Sequence, residues 1–90
     1  MLSVIWTTKF KKDYQNALKS GLDISHLDEV ISILAKQEKL PLKYKNHKLK
    51  GKYSNSYECH IESDWLLIYK INNERLMLIL FRTGSHSQLF

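Results

Sequence analysis

Hydrophobic positions along the chain change period once: up to about residue 35 they recur at helical spacing, and from residue 57 they alternate or run together as strands do. Residues 4–6 predict a short first strand, with Thr7 or Thr8 placed to cap a following helix. Phe10, Tyr14, Ala17 and Leu18 fall at i, i+4, i+7 and i+8, one buried stripe of that helix, and Gly21 supplies its stop. A second helix opens near Asp23 or Ser25 and buries Leu27, Val30, Ile31 and Leu34. So short a link between the two predicts an antiparallel hairpin.

Residues 36–53 carry the only proline, Pro41, as well as Gly51, and read as a loop. Beyond them Tyr57, Cys59 and Ile61 alternate with Glu58, His60 and Glu62, the period-two signature of a half-buried strand. Ser63 and Asp64 make a tight turn into a strand at 65–71, and Asn72, Asn73 and Glu74 turn that strand into another at 76–82. The order strand, helical hairpin, three-stranded meander predicts one small α+β domain over residues 1–90, with a four-stranded sheet covered by helices on one face. Two of the meander strands are apolar at nearly every position, so the pattern does not say which face is covered.

Size narrows the chemistry. With 90 residues, 43% hydrophobic and 26% charged, the chain folds around a single core and has no length for a deep pocket of its own. Any reaction is therefore expected on an open face that a larger partner completes, which favours a macromolecular substrate. The longest strongly apolar stretch, 65–69, is far short of the roughly 20 residues that span a bilayer. No signal peptide opens the chain, so no membrane association and a cytoplasmic location are expected. The lone cysteine, Cys59, has no disulfide partner and is expected in the core. A net charge of +5 suits a polyanionic partner, and its distribution sharpens the point. Lys36, Lys39, Lys43, Lys45, Lys48, Lys50 and Lys52 crowd a stretch in which Glu38 is the only acid.

A two-residue turn at Ser63 and Asp64 places Glu62 opposite Trp65 and His60 opposite Leu67, on one face of the sheet. Even positions of the last strand fall on that face too, which brings Arg82 to His60, Glu62 and Trp65, while His86 sits in a glycine-containing turn able to fold back over them. Cleaving RNA without a metal needs a base for the 2′-hydroxyl proton, a cation for the charge on phosphorus and an acid for the departing 5′-oxygen. Imidazole serves as acid or base near neutral pH, and guanidinium grips phosphate with parallel donors. Asp64 can orient a neighbouring imidazole, and Trp65 and Phe90 can stack on unpaired bases. Taken singly, each has an ordinary structural explanation: His26 a surface histidine, Trp65 core, Arg82 an ion pair, Asp64 a turn residue, the lysines a solvated loop. A metal would need His60, Asp64 and His86 to converge, and no H-x-x-x-H spacing or carboxylate cluster supports one, so no metal or other cofactor is expected.

Three segments, YKNHKLKG (44–51), YECHIESDWLLIYK (57–70) and RTGSHSQLF (82–90), resemble the YafQ-like branch of the RelE/ParE superfamily of bacterial toxin–antitoxin systems. The similarity runs through the whole chain, although the helices match only in pattern. Membership would imply an mRNA interferase that enters the ribosomal A site on the 30S subunit and cuts the codon presented there. It would imply a catalytic set of His47, His60, Asp64, Arg82 and His86, with Trp65 and Phe90 contacting RNA and Lys43, Lys45, Lys48, Lys50 and Lys52 holding the ribosome. His86 is then expected as acid and His60 or His47 as base, with the two roles open to exchange. A DinJ-like antitoxin, wrapping the toxin in a complex that binds operator DNA, would be its partner. Ser63 stands where some members carry proline, which touches turn rigidity more than chemistry. Two other classes stay open: a ParE-like inhibitor of DNA gyrase, which needs no acid or base, and a non-catalytic RNA- or ribosome-binding module.

Overall fold

In the computed structural model, which describes residues 1–53 and 55–90 with the side chain of Lys52 left aside, β1 (Ser3–Trp6) leads directly into α1 (Thr8–Lys19). The junction is sharp because Thr7 caps the helix. Its hydroxyl accepts the Phe10 backbone N–H at 3.1 Å and shares its own proton between the Leu80 and Phe81 carbonyls, at 3.0 and 3.1 Å. One side chain thus starts the helix and ties it to the last strand. After Gly21, whose φ of 77° suits glycine, Asp23 caps α2 (Ile24–Ala35) by accepting the Ser25 N–H. Phe10 and Ala17 of α1 are buried with Leu27, Val30, Ile31 and Leu34 of α2. Leu18, expected in that stripe, is 50% exposed, because one residue beyond Ala17 is a turn of about 100° around the helix.

The sheet has five strands, one more than the pattern predicts, in the order β1-β5-β4-β3-β2. β1 runs parallel to β5 (Met77–Gly84), and β4 (Trp65–Asn72), β3 (Tyr57–Glu62) and β2 (His47–Lys48) follow antiparallel. The additional strand is β2, inside the segment that reads as loop. Only two residues long and exposed, it pairs His47 with Glu58 and Lys48 with Tyr57, and carries no apolar alternation to reveal it. The turn after β4 occupies residues 73–76 rather than 72–74; Asn72 ends the strand, and its side chain accepts the Arg75 N–H at 3.1 Å. The chain ends in a single turn of helix, α3 (His86–Leu89).

Burial explains why β4 shows no alternation. Trp65, Leu67 and Tyr69 point into the main core beneath the helices, whereas Leu66 and Ile68 pack on the other face with Leu89, Leu49, Tyr53 and Phe81. A strand covered on both sides is apolar throughout.

Two register shifts decide which side chains share a face. In β3, Glu62 pairs with Trp65 but His60 pairs with Leu66, so Ile61 is an extra residue; in β5, Leu80 pairs with Tyr69 but Arg82 with Ile68, so Phe81 is extra. Glu62 and Trp65 consequently lie on the helix-covered side, and His60 and Arg82 on the opposite one. Uninterrupted alternation would have put all four together, and the bulges correct that expectation.

Trp65 is buried to 3% exposure, with its indole N–H donated to Thr83 Oγ1 at 2.9 Å. The Thr83 hydroxyl in turn donates to the Leu66 carbonyl at 2.7 Å. Replacing Thr83 by valine keeps the shape and strands a buried indole N–H, at a cost of about 1–3 kcal/mol. Thermal unfolding followed by circular dichroism should show the midpoint of Thr83→Val lowered by at least several degrees; an unchanged midpoint would show that this bond contributes nothing.

Candidate active site

The face opposite the helices carries a row of imidazoles. His47 on β2 and His60 on β3 lie with ring centres 6.4 Å apart, and His60 and His86 of α3 are 5.8 Å apart. Phe90 continues the row, 6.2 Å from His86 and edge-on to Tyr53 at 5.6 Å. Strand pairing brings the first two together. The third arrives because the tail folds back: Ser85 caps α3 with its hydroxyl on the Gln88 N–H, Gln88 returns a bond to the Ser85 N–H at 2.8 Å, and Leu89 plugs the second apolar cluster. Gly84 makes the fold-back possible, since a Cβ there would lie 2.7 Å from Gln88 Oε1.

Each basic group leans on a carboxylate. Asp64, at the β3–β4 turn, accepts both the backbone N–H of His86 at 3.0 Å and its Nδ1 at 2.9 Å. Those bonds, the backbone one foremost, hold the Asp64 carboxyl below its usual range. A carboxylate only accepts, so Nδ1 of His86 must carry a proton and Nε2 is the nitrogen left to gain or lose one. His47 is fixed the same way by the Lys45 carbonyl, 2.9 Å from its Nδ1. Glu58, buried to 4% exposure, stands between His47 and His60, its Oε1 3.4 Å and 3.5 Å from their Nε2 atoms. Arg82 is held by Asp13 of α1, through Nε at 2.7 Å and a terminal nitrogen at 3.2 Å. That pairing raises the guanidinium pKa against the opposing effect of burial.

Of the expected catalytic set, His47, His60, His86 and Asp64 are therefore linked by direct contacts, with Phe90 61% exposed beside them, while Arg82, on the same face of the sheet by register, touches Asp13 and Tyr53. Trp65 does not join them: its buried ring offers no face to a base, which corrects its expected role in RNA contact. Lys43, Lys45, Lys48 and Lys50 are exposed around His47; Lys52 lies outside the described side chains. His26 bridges Glu62 and Asp23 at 3.0 and 3.4 Å and lines one hollow with His60, Lys43 and Lys45, although neither carboxylate it touches belongs to the row. A hollow of about 670 Å³ lies beyond Tyr57 and Tyr69 toward Leu34 and Pro41; of the expected site residues only Lys45 lines it.

Glu58 and Asp13 are new. Glu58 carries a sequence signal, because residues two apart on a strand share a face and it stands two before His60. Asp13 falls at helical spacing between Phe10 and Ala17, an unusual place for an acid, but its partner is not legible until the register of β5 is known. Among the described residues, Glu58, His60 and His86 also present ligand atoms within 4.8 Å of one another, a donor set suited to copper, nickel or zinc. Spacing argued against a metal because this convergence joins a strand to the distant tail and leaves no local motif.

The family model for the YafQ toxin of bacterial type II toxin–antitoxin systems matches residues 2–90. The chain belongs to the YafQ family. The mRNA interferase toxin YafQ of Escherichia coli K12 is 34% identical over 86 residues, covering 94% of this chain and 91% of that protein. A metal-bound toxin from Helicobacter pylori superposes with a TM-score of 0.94 at 42% identity, over 100% of both chains. YafQ from the E. coli DinJ–YafQ complex gives 0.90 at 32% identity, over 100% of this chain and 99% of that one.

In this YafQ-family toxin, docking of the tail depends on ionised Asp64. Because its folded pKa is depressed, the stabilisation is complete above the unfolded value of about 4 and is lost as pH falls through the lower folded value. In NMR spectra the Leu89 and Phe90 amides, bonded to the Ser85 and His86 carbonyls, should stay protected from exchange down to about pH 4 and lose protection below it, whereas Asp64→Ala should lack that protection throughout. Identical protection in the two proteins at pH 7 would refute this dependence.

Proposed function

We propose that this toxin is a metal-independent endoribonuclease that cuts messenger RNA in the ribosomal A site, with histidines as acid and base. The observation that carries the reading is the row of imidazoles beside a guanidinium on one exposed surface, each backed by a carboxylate. His60 takes the proton of the 2′-hydroxyl, whose oxygen attacks phosphorus as the P–O5′ bond breaks. Glu58 beside Nε2 favours a proton there and leaves Nδ1 as the acceptor. His86 delivers a proton from Nε2 to the departing oxygen. Arg82 steadies the charge that builds on the phosphoryl oxygens. The products are a 2′,3′-cyclic phosphate and a free 5′-hydroxyl.

The row is flat and open, so alignment of the RNA must come from a larger body. A ribosome would supply it, with the exposed lysines near His47 on its RNA and Phe90 against a base. The naming of the E. coli relative as an mRNA interferase supports this reading, and the DinJ–YafQ complex supports a DinJ-like antitoxin as the partner that covers the basic surface and binds operator DNA. Gyrase inhibition or passive ribosome binding would require none of the imidazoles.

Loss of either proton carrier should slow cleavage by about 100- to 10,000-fold. We expect His86→Ala and His60→Gln to abolish cut ends on ribosome-bound messages, mapped by primer extension with purified toxin, while the fold persists. Wild-type cleavage by both variants, or trapped gyrase–DNA complexes from the wild type, would overturn the proposal.

The Glu58, His60 and His86 set supports a second role for the same groups. Copper or zinc held there would occupy the lone pairs that proton transfer needs, making a metal an inhibitor. Cleavage should be undiminished in EDTA and should fall when Cu²⁺ is added. Activity that disappears in EDTA and returns with a metal would reverse the assignment.

A further inference from the structure

We infer that Asp13 of α1 is a positioning residue for RNA cleavage, holding the Arg82 guanidinium at a fixed distance and angle from His86; the inference rests on the endoribonuclease reading above. Asp13 Oδ2 accepts Arg82 Nε–H at 2.7 Å and Oδ1 accepts from a terminal nitrogen at 3.2 Å. This is a side-on grip. It engages one edge of the guanidinium and keeps the other terminal nitrogen outside the pair, on the side where Tyr53 also hydrogen-bonds the group and a phosphate would have to be met. A carboxylate placed end-on would have blocked the fork that the substrate needs.

The same Oδ2 accepts the backbone N–H of Thr83 at 3.1 Å. One carboxylate therefore fixes the Arg82 side chain against the stretch of main chain that runs through Gly84 and Ser85 to His86. The clamp and the acid are held to one reference point, and that point lies on a helix rather than on the tail. Little water competes for the pair, since the side chains of Asp13 and Arg82 are 12% and 22% exposed. The Arg82 charge would otherwise ride on a long, flexible stem.

Positioning and simple bracing make different kinetic demands. Asp13→Asn keeps the size of the side chain and removes its charge. The neighbouring guanidinium then attracts RNA at least as strongly, yet is no longer held in one place. Turnover should fall by about 10- to 100-fold, the scale of losses caused by small misplacements, while KM stays level or drops. A brace between α1 and β5 would give no such split.

The test compares wild type, Asp13→Asn, Arg82→Ala and the double variant in ribosome-bound cleavage, measuring kcat and KM separately. Support requires that the double variant be no slower than Arg82→Ala alone, because without the guanidinium Asp13 has nothing to position. Additive losses, or Asp13→Asn at wild-type kcat beside an impaired Arg82→Ala, would overturn the role of Asp13 and leave the nuclease reading standing. Wild-type kcat in Arg82→Ala would remove the clamp itself, and the positioning role with it. An independent check needs no activity: the Arg82 Nε–H of the wild type should be visible and slow to exchange by NMR at neutral pH, and an unprotected signal would refute the inference.

Discussion

That His60 and Arg82 share a face of the sheet depends on two extra residues in it. Ile61 in β3 and Phe81 in β5 each oppose no partner of their own, and beyond each of them the alternation of faces is inverted. The two inversions act together. His60 and Arg82 both come out on the side away from the helices, and Glu62 and Trp65 both go in. Had only one strand been bulged, the imidazole of His60 and the guanidinium would stand on opposite sides of β4. The second apolar cluster then serves as the floor of this surface: Leu66 and Ile68 pack against Leu89, which anchors the turn carrying His86. Packing in this small patch is thereby coupled to the position of a titratable group.

Much of the architecture was legible because burial imposes a period. Leu27, Val30, Ile31 and Leu34 face one core, and Cys59 and Ile61 alternate into it, so α2 and β3 were readable from spacing. β4 was readable as a strand but not as a face, since both its sides are covered. β2 was not readable at all. Its two residues are defined by backbone bonds to β3 and bury nothing, and hydrophobic patterning is blind to such pairing. The bulges are equally silent: Phe81 lies in an apolar run that has no period to break, and Ile61 falls at the end of β3, where it continues the alternation and only Glu62 follows it. His47, His60, Arg82 and His86 could be picked out by chemistry and by resemblance. Their acidic supports could not all be: Asp13 falls between Phe10 and Ala17, beside the buried stripe of α1, but what it holds shows only when the end of β5 is laid against it.

The acids pose an electrostatic problem for the proposed reaction. One guanidinium stands against three carboxylates, those of Asp13, Glu58 and Asp64, so with neutral imidazoles the immediate surroundings repel a phosphate. Two features relieve this. The carboxylates are not bare, because Asp64 is satisfied by the His86 amide and ring, and Asp13 by the Thr83 amide as well as by Arg82. Beyond them, Lys43, Lys45, Lys48 and Lys50 surround the His47 end with positive charge that the row itself lacks. Attraction and chemistry are thus divided: flexible, solvated lysines gather the polyanion over long range, and rigid, partly buried groups act on one phosphate.

That division also bears on why a chain of 90 residues would act only with a larger partner. Lysine attraction is non-directional and cannot hold a 2′-hydroxyl in line with a P–O5′ bond. The row of imidazoles has no wall opposite it, so free RNA would meet it in many orientations, few of them reactive. A ribosome that presents a codon in a fixed conformation removes that freedom and leaves the toxin to supply only the proton carriers and the clamp. On this argument the open surface is a consequence of the chain's size: ninety residues build a main core and the small cluster beneath the site, with no further layer to wall in a cleft over the imidazoles. An antitoxin segment lying on the same surface would meet little steric barrier, and the surface that needs the ribosome to complete it would be the one most simply covered.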